Sequence, residues 1–194
     1  MKYLILFLII GGLICCKNGE EKNSKYNPKA IELNNKAGKL SQNFKQDSAL
    51  ILYDQAIELD DSYYLPHSNK IGIYLGMQEY DQALYESEMV IKKKTDLAEG
   101  WFFAGLLNEH QGNDKKAMTY YKKSIQIFIE RINNPDKQKD INTNKLNCAL
   151  SKKFIGDESY IEDFNELKKI DDYAFLVDQF KNKTKEEIMK ELIK

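Results

Sequence analysis

The chain has 194 residues, 42% hydrophobic and 30% charged, which is one ordinary domain by length or a short repeat array. Its 29 lysines and arginines nearly balance 30 acidic residues, so there is no basic surface to draw nucleic acid and no acidic tail. Its three cysteines make no disulfide framework.

The N-terminus reads apart from the rest. Met1-Lys2 gives a positive start, and Tyr3 to Ile14 is an apolar run broken only by Gly11-Gly12. A spanning helix needs roughly 20 residues, so the run suits a signal-peptide core better; a short N-terminal membrane anchor is the alternative. It ends in Leu13-Ile14-Cys15-Cys16. This resembles a bacterial lipobox, in which Leu stands three residues before a cysteine that becomes the lipidated N-terminus. The resemblance implies a signal peptide over 1–15, lipidation at Cys16, and a cell-envelope protein held by lipid to a bacterial membrane, the outer membrane of a Gram-negative cell. Cys15 departs from the small residue usual before the modified one, and choosing Cys15 instead would put Gly12 where Leu belongs. Several acyl chains make a firm anchor. Residues 16–27 then read as a polar tether, Lys17-Asn18-Gly19-Glu20-Glu21-Lys22-Asn23-Ser24 lacking any periodicity. Its Lys and paired acids also resemble surface-export signals of some Gram-negative lipoproteins. Without Lys2 the mature chain has 28 cationic against 30 acidic residues.

Helical signals begin at Asn27-Pro28, an N-cap followed by proline at the first helical position, and Asn134-Pro135 repeats the arrangement. Between them, Ala49, Ala83 and Ala117 stand 34 residues apart. Each opens a similar phrase, with Tyr53, Ser87 and Tyr121 four places on and Ala56, Val90 and Ser124 seven places on. A period of that length marks a helical repeat array. Extending the frame backwards yields a partner helix for each, the third carrying Trp101, Ala104, Gly105 and Leu107 and ending at Gly112-Asn113. Asp96 with Glu99 three residues later reads as a capping-box start for that helix. In the second repeat Ile71 replaces the small residue found as Ala37 and Gly105, with Gly72 and Gly76 near enough to supply slack.

Past Phe128 the period loosens. A helix–glycine–helix unit centred on Phe154-Ile155-Gly156-Asp157 puts Ala149 in the small-residue place but Ile161 where the ladder needs alanine. Thr184-Lys185-Glu186-Glu187 is a capping box opening a short amphipathic helix with Ile188, Met189, Leu192 and Ile193.

This pattern resembles the tetratricopeptide repeat family. The resemblance implies an all-α, right-handed α-solenoid of antiparallel helix pairs over 28–194. Three clear repeats fall at about 30–63, 64–97 and 98–131, a degenerate fourth at 142–175, and a capping helix at 184–194. Small residues let helices approach, large ones fill the gaps, and a terminal cap hides the last apolar flank.

Chemistry is scarce. His67 and His110 are the only histidines and lack Cys or acidic partners at metal spacing. Glu20-Glu21, Asp60-Asp61 and Asp171-Asp172 are adjacent pairs in tether or turn, not the opposed carboxylates of a glycosidase. No phosphate loop, nucleophile elbow or Ser/His/Asp arrangement occurs. Cys148, in an apolar helical phrase, reads as a core residue. No metal, cofactor or small-molecule substrate is expected, and no enzymatic activity.

What remains is a partner-binding groove. The family lines it with one face of each first helix, which here implicates Asn34, Leu75, Glu99, Phe102, Leu106, Glu109 and His110. Asn34 and Asn69 match two places where some members grip a C-terminal carboxylate, but Glu99 and Phe103 stand where cations belong. The third-repeat residues suit an apolar or basic peptide segment; alternatively they cover the groove floor or meet the C-terminal helix. The expected function is a membrane-anchored, non-enzymatic scaffold or protein-binding module of the envelope. The alternatives are a dedicated assembly or immunity factor for one protein, and an enzyme with an unrecognised site.

Overall fold

A computed structural model describes residues 25–134, 136 and 141–193. The signal peptide, the lipidation residue Cys16 and the tether as far as residue 24 lie outside the described residues. Among the described residues ten helices follow in order: α1 (Pro28–Gln42), α2 (Gln46–Leu59), α3 (Leu65–Gly76), α4 (Tyr80–Lys93), α5 (Ala98–His110), α6 (Asp114–Ile132), α7 (Ile141–Phe154), α8 (Tyr160–Lys168), α9 (Asp171–Lys181) and α10 (Lys185–Ile193). No strand occurs among the described residues. The fold class is all-α, of the helix-pair solenoid type, and the chain divides into two compact units. Unit 1 runs to Thr95 and holds α1–α4; unit 2 runs from Asp96 and holds α5–α10.

The repeat is visible first in the turns. Each of the first four hairpins closes with a residue at positive φ: Phe44 (58°), Gln78 (61°), Gly112 (78°) and Gly156 (74°). In each, the next amide donates to the carbonyl five residues back: Lys45 to Leu40 (3.0 Å), Glu79 to Tyr74 (2.8 Å), Asn113 to Asn108 (2.8 Å) and Asp157 to Lys152 (3.0 Å). This is the Schellman closure, which satisfies carbonyls that a helix end leaves orphaned. Glycine enters the left-handed region without a Cβ penalty. Phe44 and Gln78 enter it despite one.

Packing inside each pair follows the frame. Ala49, Ala83 and Ala117 are all but fully buried, at 0%, 0% and 1% exposure. Across the hairpins, small and large trade places. Ala37 shares a cluster with Tyr53 in the first. In the third, a Cβ built on Gly105 would fall 2.8 Å from the Tyr121 ring. In the second the sizes reverse, with Ile71 facing the register of Ser87, both buried. The swap preserves volume. Ser87, and not a glycine, therefore provides the slack: Gly72 and Gly76 are exposed, and a Cβ on either would meet nothing within 4 Å.

Caps decide the ends. The Asn27 side chain accepts from Lys29 N (2.9 Å) over Pro28, and Asn134 accepts likewise from Asp136 N (2.9 Å). Thr184 and Glu187 form the reciprocal capping box, Thr184 N donating to Glu187 (2.7 Å) and Glu187 N to Thr184 Oγ1 (3.2 Å). At α5 the N-cap is Leu97, one residue after Asp96 and without a side-chain bond, and Arg131 takes both Glu99 and the Asp96 carbonyl. The loosened period shows as α6 running to 19 residues against 14 for α4. Ile161 is 44% exposed, outside the ladder. A separate helix, α9, packs on α8, which ends at Lys168.

Candidate functional site

The first helices of the hairpins carry the candidate groove residues, and the two units treat them differently. In unit 2, α5 is enclosed. Phe102 and Leu106 are 2% and 0% exposed. Phe102 meets Tyr121 of α6 at 5.5 Å and Phe154 of α7 at 5.2 Å between ring centroids, and the latter two rings also touch. Over this aromatic triangle sits α10. Lys185 in its first turn pairs with Glu109 (2.5 Å) and lies 5.7 Å from the Tyr121 ring and 5.6 Å from the Phe154 ring. Ile188, Leu192 and Ile193 of α10 are buried. A nine-residue helix is marginal alone, so this packing is what holds α10.

Glu109 works on two partners, since the Tyr121 hydroxyl donates to its other oxygen at 2.8 Å. Burial, then the Glu109 charge, pushes the Tyr121 phenol far above its ordinary range. Glu99 is 8% exposed and gives both oxygens to Arg131 Nη1, at 2.8 and 3.0 Å. Of the unit 2 candidates only Glu109, at the edge, and His110, exposed beyond it, lie outside the core. The segment that meets the acidic and aromatic residues is the chain's own amphipathic C-terminal helix, which brings one cation, Lys185, to Glu109 and the rings.

In unit 1, Asn69 Nδ2 donates to Asn34 Oδ1 (2.9 Å), tying α3 beside α1. Asn34 and Leu75 are each 4% exposed. Five of the seven candidates (these two with Glu99, Phe102 and Leu106) thus lie inside the protein as it stands. Above Asn34 and Leu75 the face is slim and open, because Gly72 and Gly76 are exposed to solvent.

Unit 1 also holds a polar constellation that sequence spacing does not show. Glu86 of α4 is 2% exposed and receives two partners from α3: His67 Nδ1 at 2.6 Å and Lys70 Nζ at 2.6 Å. Lys70 continues to Asp54 of α2 at 2.7 Å. Burial acts against the Lys70 charge, but the bonds to Asp54 and Glu86 outweigh it and raise its pKa. His67 Nε2 and Ser68 Oγ are buried without a bonding partner. Glu86 is 19 residues from His67 and reaches it only because the hairpin folds. A buried carboxylate shared by a lysine and a histidine is a structural tie whose removal strands the Lys70 charge. Among the described residues no group of three His, Cys, Asp or Glu is placed to hold a metal ion. Cys148 is 3% exposed, and burial pushes its thiol up to about 11, which suits a core residue and not a nucleophile.

No protein-family model matches the chain. Over 110 residues, 57% of the chain, it is 26% identical to small glutamine-rich tetratricopeptide repeat-containing protein 2 of Saccharomyces cerevisiae. The chain spans about a third, 32%, of that curated relative's length. The first TPR of Spaghetti (RPAP3), solved bound to the HSP90 peptide SRMEEVD, is similar with a TM-score of 0.48 and 16% identity, covering 62% of this chain and 94% of that one. The curated likeness is to the family that the alanine ladder resembles.

Proposed function

We propose that this chain is a lipid-anchored, non-enzymatic protein-binding module of a bacterial envelope, and that its partner segment lies on the α1–α3 face of unit 1. The observation that carries the choice of face is that Gly72 and Gly76 stand open beside the Asn34–Asn69 tie, whereas α10 occupies the matching helix of unit 2. A backbone with no side chain at two such places lets an extended or helical segment approach closely. The lipobox-like Leu13-Ile14-Cys15-Cys16 supports the anchor. Confinement near the bilayer would raise the effective concentration for membrane-bound partners.

Photo-crosslinking in membranes from position Gln42, exposed at the end of the face, tests the reading. A crosslinked protein should be lost when Gly72→Arg and Gly76→Arg fill the open face without touching the core. His110→Ala should leave it in place. Crosslinking that survives both arginines defeats the unit 1 face. A single stoichiometric product favours a dedicated factor, and several weak ones a scaffold. Glu99→Lys is no test of binding, since it breaks the pair with Arg131. For the anchor, Cys16→Ser should move the protein to the soluble fraction; continued membrane retention counts against lipidation.

A further inference from the structure

Phe44 is 89% exposed and holds a φ of +58°. The later hairpins place Gln78, Gly112 and Gly156 at the same point of the turn, and glycine is the residue that this conformation favours. A large ring in a left-handed turn, covered by nothing, serves neither the turn nor the core. The hairpin frame holds Gln78 in the same conformation, so the turn accounts for the φ of Phe44 but not for the exposure of its ring.

The surroundings narrow that use. The residues next to Phe44 in sequence are polar: Gln42, Asn43, Lys45, Asp47 and Ser48 are exposed, and Ser41 and Gln46 are half-buried. A stable protein interface needs roughly 800 Å² on each side with an apolar centre, which one ring among polar residues does not supply. Lys39 in the last turn of α1 and Lys45 beside the ring are exposed, as is Lys36 three residues before Lys39; Asp47 is the nearby acid. One aromatic side chain flanked by lysines fits the boundary between anionic headgroups and acyl chains. Length agrees. The 15 residues of α1 span ~22 Å, and the eleven from Lys17 to Asn27 reach at most ~36 Å, so the tip can return to the membrane that holds Cys16.

We propose that the α1–α2 turn is a lipid-contact tip, in which Phe44 enters the headgroup zone of an anionic bilayer while Lys39 and Lys45 meet its phosphates. This rests on the membrane-anchored reading above, and the test separates the two. The full chain carrying Trp101→Phe and Phe44→Trp has one indole. It is mixed at millimolar lipid with vesicles of phosphatidylethanolamine and phosphatidylglycerol bearing an acyl-chain nitroxide. The introduced indole should shift to the blue and be quenched, and adding Lys39→Glu with Lys45→Glu should raise the lipid needed by roughly tenfold or more. An unshifted, unquenched indole overturns the tip, as does one buried only when a co-purified protein is present. Phe44→Gly in the otherwise native chain should raise the melting temperature by roughly 2–4 °C; a lower one would assign the ring to the fold and overturn the proposal. Flotation of the chain with and without Cys16→Ser judges the lipid anchor separately, and quenching judges the tip whichever way flotation falls.

Discussion

Unit 1 and unit 2 begin from the same hairpin and finish their inner helices in opposite ways. In unit 1 the α1–α3 face stays slim and open at Gly72 and Gly76, and polar ties lie beneath and beside it: Asn34 with Asn69, and Glu86 with His67 and Lys70. In unit 2 the equivalent helix is apolar almost all round, and α10 closes over it with Lys185 set on Glu109 and two aromatic rings. The 34-residue frame sets the backbone of both. What covers the inner face depends on residues outside the frame, in unit 2 on a C-terminal segment that the repeat does not include.

The comparison can be broken most severely at Glu86. Glu86→Ala leaves His67 and Lys70 buried together with only Asp54 to answer them, and should cost about 3 kcal/mol. Glu99→Ala in unit 2 should cost nearer ~1 kcal/mol, since Arg131 keeps the Asp96 carbonyl and its side chain is 18% exposed. Urea unfolding, with amide exchange to locate the loss, reads both; equal costs would remove the distinction between the buried ties. In unit 2 the matching blow is Leu192→Ala, expected to cost about 3 kcal/mol and to loosen α10 from α5. Dye binding to the uncovered Phe102 and Leu106 should rise, and an unchanged signal would mean that α10 does not close that face.

Smaller changes sharpen the contrast. Gly105→Ala drives a Cβ to 2.8 Å from the Tyr121 ring and 3.3 Å from the Ala117 carbonyl, for a loss of about 2 kcal/mol. Gly72→Ala meets open space and should gain up to about 1 kcal/mol from helix propensity. A loss at Gly72 would mean that its face is covered. The mildest effect is in alkali. Lys70 and Tyr121 both have folded pKa values above their ordinary 10.5 and 10.0. Each therefore contributes fully below its ordinary value, and the contribution drains away as pH climbs from there towards the folded value. Tyr121→Phe should flatten that alkaline decline in unit 2 and leave unit 1 unchanged.

Much of the fold was legible because its signals are local and periodic. The ladder of Ala49, Ala83 and Ala117, the caps at Asn27 and Thr184, and the turns at Gly112 and Gly156 each announce themselves within a few residues. Phe44 and Gln78 hid two identical turns, because a hairpin frame forced by packing overrides residue preference. The candidate groove was legible only as a register. Glu99, Phe102 and Leu106 lie on α5; a meeting with the C-terminal helix was one of the alternatives their register left open, whereas no spacing points to Arg131 for Glu99. The Glu86 constellation left no signal, its members coming from three helices.

The sequence alone determined the all-helical class and the 34-residue frame, since each depends on neighbours along one hairpin. Only the tertiary structure decided which inner face is open, which is closed and which charges are buried together. Those outcomes depend on groups far apart in the chain, whose burial and pairing exist only once the helices are in contact.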